Sequence, residues 1–269
     1  RVPSRQLDRE LLGRFVFSDE MDDDITRFFG IIKPALIKWV GKKRSKYGLG
    51  RRDRVKLDEQ LAFNNLYKQI GASLGFGDLP ELWRKPDQKG LINGALVPEG
   101  MIVGDELLGS GREKHIAFVV AKQLFMFLAP FYLAAIRPLS DLRGFFLLAT
   151  DLVTPEIDVE KTDETRRAYK DLKRGVRGDD RKRLKHVVDK ITAGAGDIDL
   201  GTWIEAVEDT ANRVGFIFCD DLEVARECLA ERHQNFSQRN LDERVDALAD
   251  YSVSERYLTL RNKLDLTVG

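Results

Sequence analysis

The segment VVAKQLFMF, Val119–Phe127, lies inside the most apolar part of the chain, IAFVVAKQLFMFLAPFYLAAI from Ile116 to Ile136, and its reading decides the fold. The longer run could span a bilayer on length alone. Lys122, Gln123 and Pro130 interrupt it, and a mid-membrane charge and a helix-breaking proline both count against a span. A buried core helix over 112–128 that breaks at Pro130 is the expected state.

Outward from this helix, the composition sets the frame. A chain of 269 residues that is 43% hydrophobic can bury a core of ordinary size in one or two domains. Lys plus Arg and Asp plus Glu balance at 44 each, so no global field recruits nucleic acid or an anionic membrane, and any charge argument is local. Cys219 and Cys228 do not make a disulfide framework; a reducing, cytoplasmic location is expected, with a single disulfide as the alternative. The opening RVPSRQLDRE has neither an initiator Met nor a signal segment, so the chain reads as a fragment of a longer protein.

The acidic run SDEMDDD, Ser18–Asp24, supplies caps for a helix through ITRFFGIIKPALIKWV. Phe28, Phe29, Ile32, Leu36, Ile37 and Val40 recur there at helical spacing, and Pro34 is expected to kink or divide the helix. Nine basic residues fall between Lys38 and Lys56, in a stretch whose glycines mark it as a loop. A second amphipathic helix follows over 57–75, then two or three short strands among the Gly, Pro and Asp of 75–108. Beyond them helices are expected at 140–152, 161–174, 179–193, 199–218, 220–231, 239–250 and 253–263. The class is mainly helical α+β with one small sheet. A charged, helical N-terminal extension, 1–56, would precede the main domain, 57–269.

Three pieces in order resemble the zinc metallopeptidase family of the CAAX prenyl protease and its HtpX-like relatives. NGALVPEGMIVGDELLG carries Asn93, Ala95, Pro98, Gly100, Ile102, Val103, Leu107 and Leu108 on the family's strand pattern. Ala121–Met126 falls where the family has Ala-His-Glu-Leu-Gly-His. Glu208, Ala211, Asn212 and Arg213 fall on its downstream Glu-x-x-Ala-Asp-Arg. The resemblance, covering roughly 57–225, implies a zincin-like scaffold in which the sheet lies against the core helix. Zincin chemistry needs two imidazoles one helical turn apart, a carboxylate from another helix and a Glu to take a proton from metal-bound water. At those positions stand Lys122, Met126, Glu208 and Gln123. A cation, a thioether and an amide supply neither ligands nor base.

The resemblance therefore implies a pseudo-peptidase: no catalytic residue, no metal, no cofactor, and a role in contacts with a protein partner or with other domains of a larger bacterial chain. Such degenerate domains often sit beside tetratricopeptide-like repeats. If the scaffold is kept, Lys122 meets Glu208 where zinc would sit; in the plainer alternative Lys122 reaches solvent and Glu208 lies on the surface. Phe125 and Met126 would plug the cleft. The competing class is a hydrolase with a rebuilt, metal-independent site in which Glu208 and Asp209 or Asp105 do the acid–base work. Lys42, Lys43, Arg44, Lys46, Arg51, Arg52 and Arg54 form a candidate docking patch for an acidic protein, unless the upstream acidic run neutralises it; nucleic acid is the less favoured partner, with only Tyr47 to stack a base. His115, His186 and His233 form no ligand pair, and no nucleophile elbow, P-loop or dinucleotide fingerprint occurs.

Overall fold

The structure is a computed structural model that describes residues 3, 5–155, 162–193, 198–231 and 239–266. A short helix α1 (Arg9–Leu11), running on into a wider turn over Leu12–Val16, leads to α2 (Asp23–Val40), whose first turn is capped by Asp22. Then come β1 (Lys42–Lys43), α3 (Ala62–Ser73), and the strands β2 (Glu81–Arg84), β3 (Leu91–Gly94), β4 (Leu96–Val97) and β5 (Gly100–Val103). The rest is helical: α4 (Asp105–Leu108), α5 (Glu113–Phe127), α6 (Tyr132–Ile136), α7 (Leu139–Val153), α8 (Asp163–Gly175), α9 (Gly178–Ala193), α10 (Leu200–Cys219), α11 (Leu222–Ala230), α12 (Leu241–Ser252) and α13 (Glu255–Lys263). The chain is a mainly helical α+β protein.

Helix α5 is central. Twelve consecutive residues, His115–Met126, are buried, so this helix meets protein on every side, and it ends at Phe127, ahead of the turn that holds Pro130. Among the described residues no helix is long and apolar enough to cross a membrane. Its most extensive helix partner is α10, with α3 and α11 also against it and β3 laid alongside.

Two small sheets form where one was expected, and 75–108 holds four strands rather than two or three: β4 pairs with β1, and the larger sheet has order β2-β5-β3, with β2 parallel and β3 antiparallel to β5. Alternation splits its side chains. Leu82, Leu91, Met101 and Val103 enter the large core, while Trp83 and Ile102 turn the other way into a small cluster with Leu49 and Leu96. The basic stretch supplies that second cover. It contains β1, which pairs in parallel with β4, and two single-turn helices, Arg44–Tyr47 and Arg51–Asp53, where a plain loop was expected.

Two other expectations are corrected. Helix α2 runs undivided through Pro34, which lies on its exposed face, where water can satisfy the carbonyl that proline leaves free. Phe28, Phe29, Ile32 and Leu36 meanwhile anchor the opposite face. Phe29 stacks on Trp203 of α10 (centroids 4.7 Å), Phe28 lies against Phe146 of α7 (4.6 Å), and the Trp203 indole donates to Thr26 (3.0 Å). The boundary placed near residue 56 thus falls within one continuous apolar core that includes α2. The second amphipathic helix begins at Ala62, five residues later than the apolar pattern suggests.

Helix α2 also packs on α8, and Gly175 makes this close. A Cβ added there would stand 2.5 Å from Cβ and 2.9 Å from Cα of Ala35, which only a shift of one helix relieves. Gly175→Ala is expected to destabilise the protein by about 1–3 kcal/mol, since overpacking outweighs the gain in helix propensity. Denaturant midpoints for the two proteins measure this; equal midpoints would show that the contact yields freely.

Candidate functional site

The chemistry-bearing residues meet between α5 and α10. Lys122 Nζ lies 3.6 Å from Glu208 Oε1, and Arg244 Nη1 of α12 reaches the same oxygen at 3.6 Å. All three are buried, at 8%, 1% and 5% exposure for Lys122, Glu208 and Arg244. Lys122 therefore does not reach solvent and Glu208 is not a surface residue. Burial pushes the Lys122 ammonium below the ordinary lysine range; Glu208 opposes that shift and Arg244 adds to it. Two cations thus share one carboxylate oxygen in a nearly dry interior.

The neighbours explain why the helices approach here. Gly215 of α10 faces Phe118 of α5, where a Cβ would stand 3.0 Å from both the Phe118 carbonyl and its ring. One turn before it, Asn212 shares the face of Glu208; it is 2% exposed, and neither Nδ2 nor Oδ1 has a hydrogen-bond partner. Gln123 is tied to the sheet: its Oε1 accepts from Asn93 Nδ2 at 2.8 Å, and its backbone carbonyl accepts from the same nitrogen at 3.1 Å. Met126 is buried at 1% exposure, and Phe125 stacks on Phe131 (4.6 Å). Phe17, from the N-terminal stretch, sets its ring edgewise against both, at 6.4 and 6.1 Å.

The carboxylates named with Glu208 point elsewhere. Asp209 pairs with Arg239, whose other donors hold Glu205 at 3.2 Å and Glu20 at 3.3 Å. Burial raises the Asp209 carboxyl despite Arg239 and Arg213, and Glu208 adds to the rise. Asp105 is on the surface in a two-pronged bond with Arg84 (2.5 and 2.6 Å) that lowers its carboxyl. His115 sits 3.0 Å from Glu231, His186 is exposed on α9, and His233 lies outside the described residues. Cys219 and Cys228 are free, buried thiols, and burial pushes Cys219 up to about 12.

The zinc of the metallopeptidases that the chain resembles finds no suitable donor set here. An ammonium stands 3.6 Å from the one carboxylate retained, and no group of three His, Cys, Asp or Glu side chains among the described residues could hold an ion. No step through a metal follows from this arrangement.

In the basic stretch, Arg54 pairs with Glu81 (3.1 Å) and Arg44 lies over the Trp83 ring (4.9 Å). Lys42, Lys43, Lys46, Arg51 and Arg52 are exposed, with no carboxylate within ion-pair distance among the described residues. Two residues of the site escaped the reading of the sequence. Arg244 had a signal, since it shares a buried face with Leu248 and Tyr251 at i+4 and i+7. Phe17 had none, because its contacts with Phe125 and Phe131 join segments over 100 residues apart.

The cluster's charge count predicts an asymmetry. Glu208→Leu takes the shared carboxylate from two buried cations and should cost about 3–5 kcal/mol, whereas Lys122→Met leaves Glu208 with Arg244 and should cost no more than about 1 kcal/mol. The double variant should lose at least about 1 kcal/mol less than the sum of the singles in chemical denaturation; strict additivity would mean the two are not coupled. Asp209 carries a pH signature. With its folded carboxyl raised above the ordinary 3.8, the folded state holds the extra proton, so this contribution is full below that value and is lost as pH rises through the folded one. Stability measured against pH should fall more steeply from pH about 4 upward in the wild type than in Asp209→Asn. No family model, no curated protein and no solved structure matches this chain.

Proposed function

We propose that this chain is a degenerate, zinc-less relative of the CAAX prenyl protease and HtpX-like metallopeptidases, acting as a non-catalytic interaction or structural module. The observation that carries this reading is the Lys122–Glu208 ion pair, 3.6 Å apart and shut from solvent, at the positions where the family pattern has a zinc-binding His and its carboxylate partner. An ammonium there supplies the counter-charge a buried carboxylate needs, so the interior tolerates the carboxylate without an ion. Two further features support it. Gln123 has its Oε1 committed to Asn93, and an amide cannot take a proton from water. Phe125, Met126 and Phe17 fill the adjoining space with packed apolar groups.

The competing reading, a hydrolase rebuilt around Glu208, has one observation in its favour. Asp209 borders a surface cavity of about 380 Å³ and its carboxyl is raised, as a general acid requires. Its bond to Arg239 weighs against that role, because the guanidinium opposes the rise and occupies the carboxylate that would have to meet a substrate.

Metal content tests the zinc-less reading; the competing hydrolase, which works without metal, would show instead as turnover of a peptide substrate that Glu208→Gln abolishes. After incubation with zinc and desalting, mass spectrometry should find no stoichiometric metal, and the melting temperature should be the same with and without chelator. One zinc per chain, or a chelator-sensitive melt, would reopen the enzyme reading.

A further inference from the structure

Helix α2 separates the two strongest local charges in the chain. Its 18 residues span about 27 Å at 1.5 Å per residue. The acidic run stands at its N-terminal end, where each acid has local work: Asp19 pairs with Arg256, Glu20 with Arg239, Asp22 caps the helix, and Asp23 and Asp24 lie beside Arg27. The basic stretch begins just past its C-terminal end. Since the Debye length is about 8 Å at physiological salt, exposed charges at opposite ends of α2 are largely screened from one another and the acids do not neutralise the base. The sequence-based expectation that they could is corrected here.

The basic surface is also firmly built. β1 is paired to β4, Leu49 is buried beneath the sheet's outer face, Arg44 covers Trp83, and the Tyr47 hydroxyl donates to the Ala95 carbonyl (3.1 Å). Beside it opens a cavity of about 500 Å³, whose wall includes Tyr47, Ile92, Ala134, Ile136, Pro138 and Leu139. Five exposed cations, with no ion-pair partner among the described residues, thus share a segment with Tyr47, which borders a hollow walled by apolar side chains together with Asn93 and Arg137.

We propose that this face docks an acidic segment of a partner protein, its carboxylates on Lys42, Lys43, Lys46, Arg51 and Arg52 and one apolar side chain in the cavity beside Tyr47. The proposal deepens the interaction role set out above and rests on it. Charge complementarity selects an anionic partner, and the hollow selects one that also carries an apolar anchor. Nucleic acid fits less well, because both aromatic groups of the region are engaged: Trp83 is buried under Arg44, and Tyr47 is fixed to the Ala95 carbonyl.

Fluorescence anisotropy on the intact chain tests this with three labelled probes: a short Glu/Asp peptide with two central Leu residues, the same peptide with Ser in place of Leu, and an oligothymidine of equal charge. The Leu peptide should bind at about 50 mM salt, weaken markedly by 200 mM, and bind about tenfold or more tighter than the Ser peptide. The variant K42Q/K43Q/K46Q/R51Q/R52Q, changed only at exposed side chains, should lose binding about tenfold or more. Leu139→Asp, which puts a carboxylate at the cavity wall, should bring the Leu peptide down to the Ser peptide's level. Failure of the Leu peptide to bind at about 50 mM salt, equal binding of the two peptides, equal or tighter binding of oligothymidine, or indifference to the fivefold variant would each overturn the proposal. Cleavage of a bound probe, read by chromatography, would instead overturn the non-catalytic reading and leave the docking face standing.

Discussion

A carboxylate on α10, an ammonium on α5 and a guanidinium on α12 share one oxygen atom in an interior that admits almost no water, and the rest of the molecule is arranged around that constraint. Each opposite-charge pair at 3.6 Å gains about 4–5 kcal/mol at an effective dielectric constant near 20, while removal from water costs several kcal/mol per ion. The two terms nearly cancel, so the cluster adds little net stability. Its effect is on geometry. A carboxylate held between two cations fixes how α5, α10 and α12 sit against one another, because any slip leaves a buried charge alone.

That requirement spreads outward. Gly215 keeps α10 close to α5, and the Asn93–Gln123 bonds hold β3 to the same helix on its other side. Phe17 brings the N-terminal stretch onto Phe125, while Arg213 and Arg256 donate to the Phe17 carbonyl and so bind that stretch to α10 and α13. A segment that looked like an appendage closes one side of the core. Once it is in place, packed apolar groups fill the space beside Met126 and Phe125.

Much of this was legible in the sequence, and what was missed has physical causes. Helix α5 and the helices from α7 to α13 were expected, and Asp199, Asp221, Asn240 and Ser254 cap the last four of them, so local pattern and local chemistry agree, while the short α4 and α6 went unread. Lys122 and Glu208 could be paired only through a resemblance, since nothing in the spacing of residues 86 positions apart states that they touch. The structure of the basic stretch was hidden for the opposite reason. Its order comes from Leu49, Tyr47 and Arg44 packing on a sheet face formed by residues well downstream, and its own composition argues for a loop.

The separation of charge along α2 joins these observations. Acidic residues at its N-terminus and basic residues beyond its C-terminus both favour the helix macrodipole, so local stability alone would select this order. Yet the two ends are treated differently. At the acidic end arginines from elsewhere in the chain satisfy Asp19 and Glu20, and the charge is absorbed into the fold. At the basic end Glu81 takes up Arg54, and five cations remain exposed on a surface whose backbone is held by strand pairing and by a buried leucine. Helix stabilisation needs only a residue or two within the last turn, and the additional cations lie too far along the chain to supply it. Like charges held close together raise the energy of the free protein, and an anionic surface laid against them would relieve that repulsion.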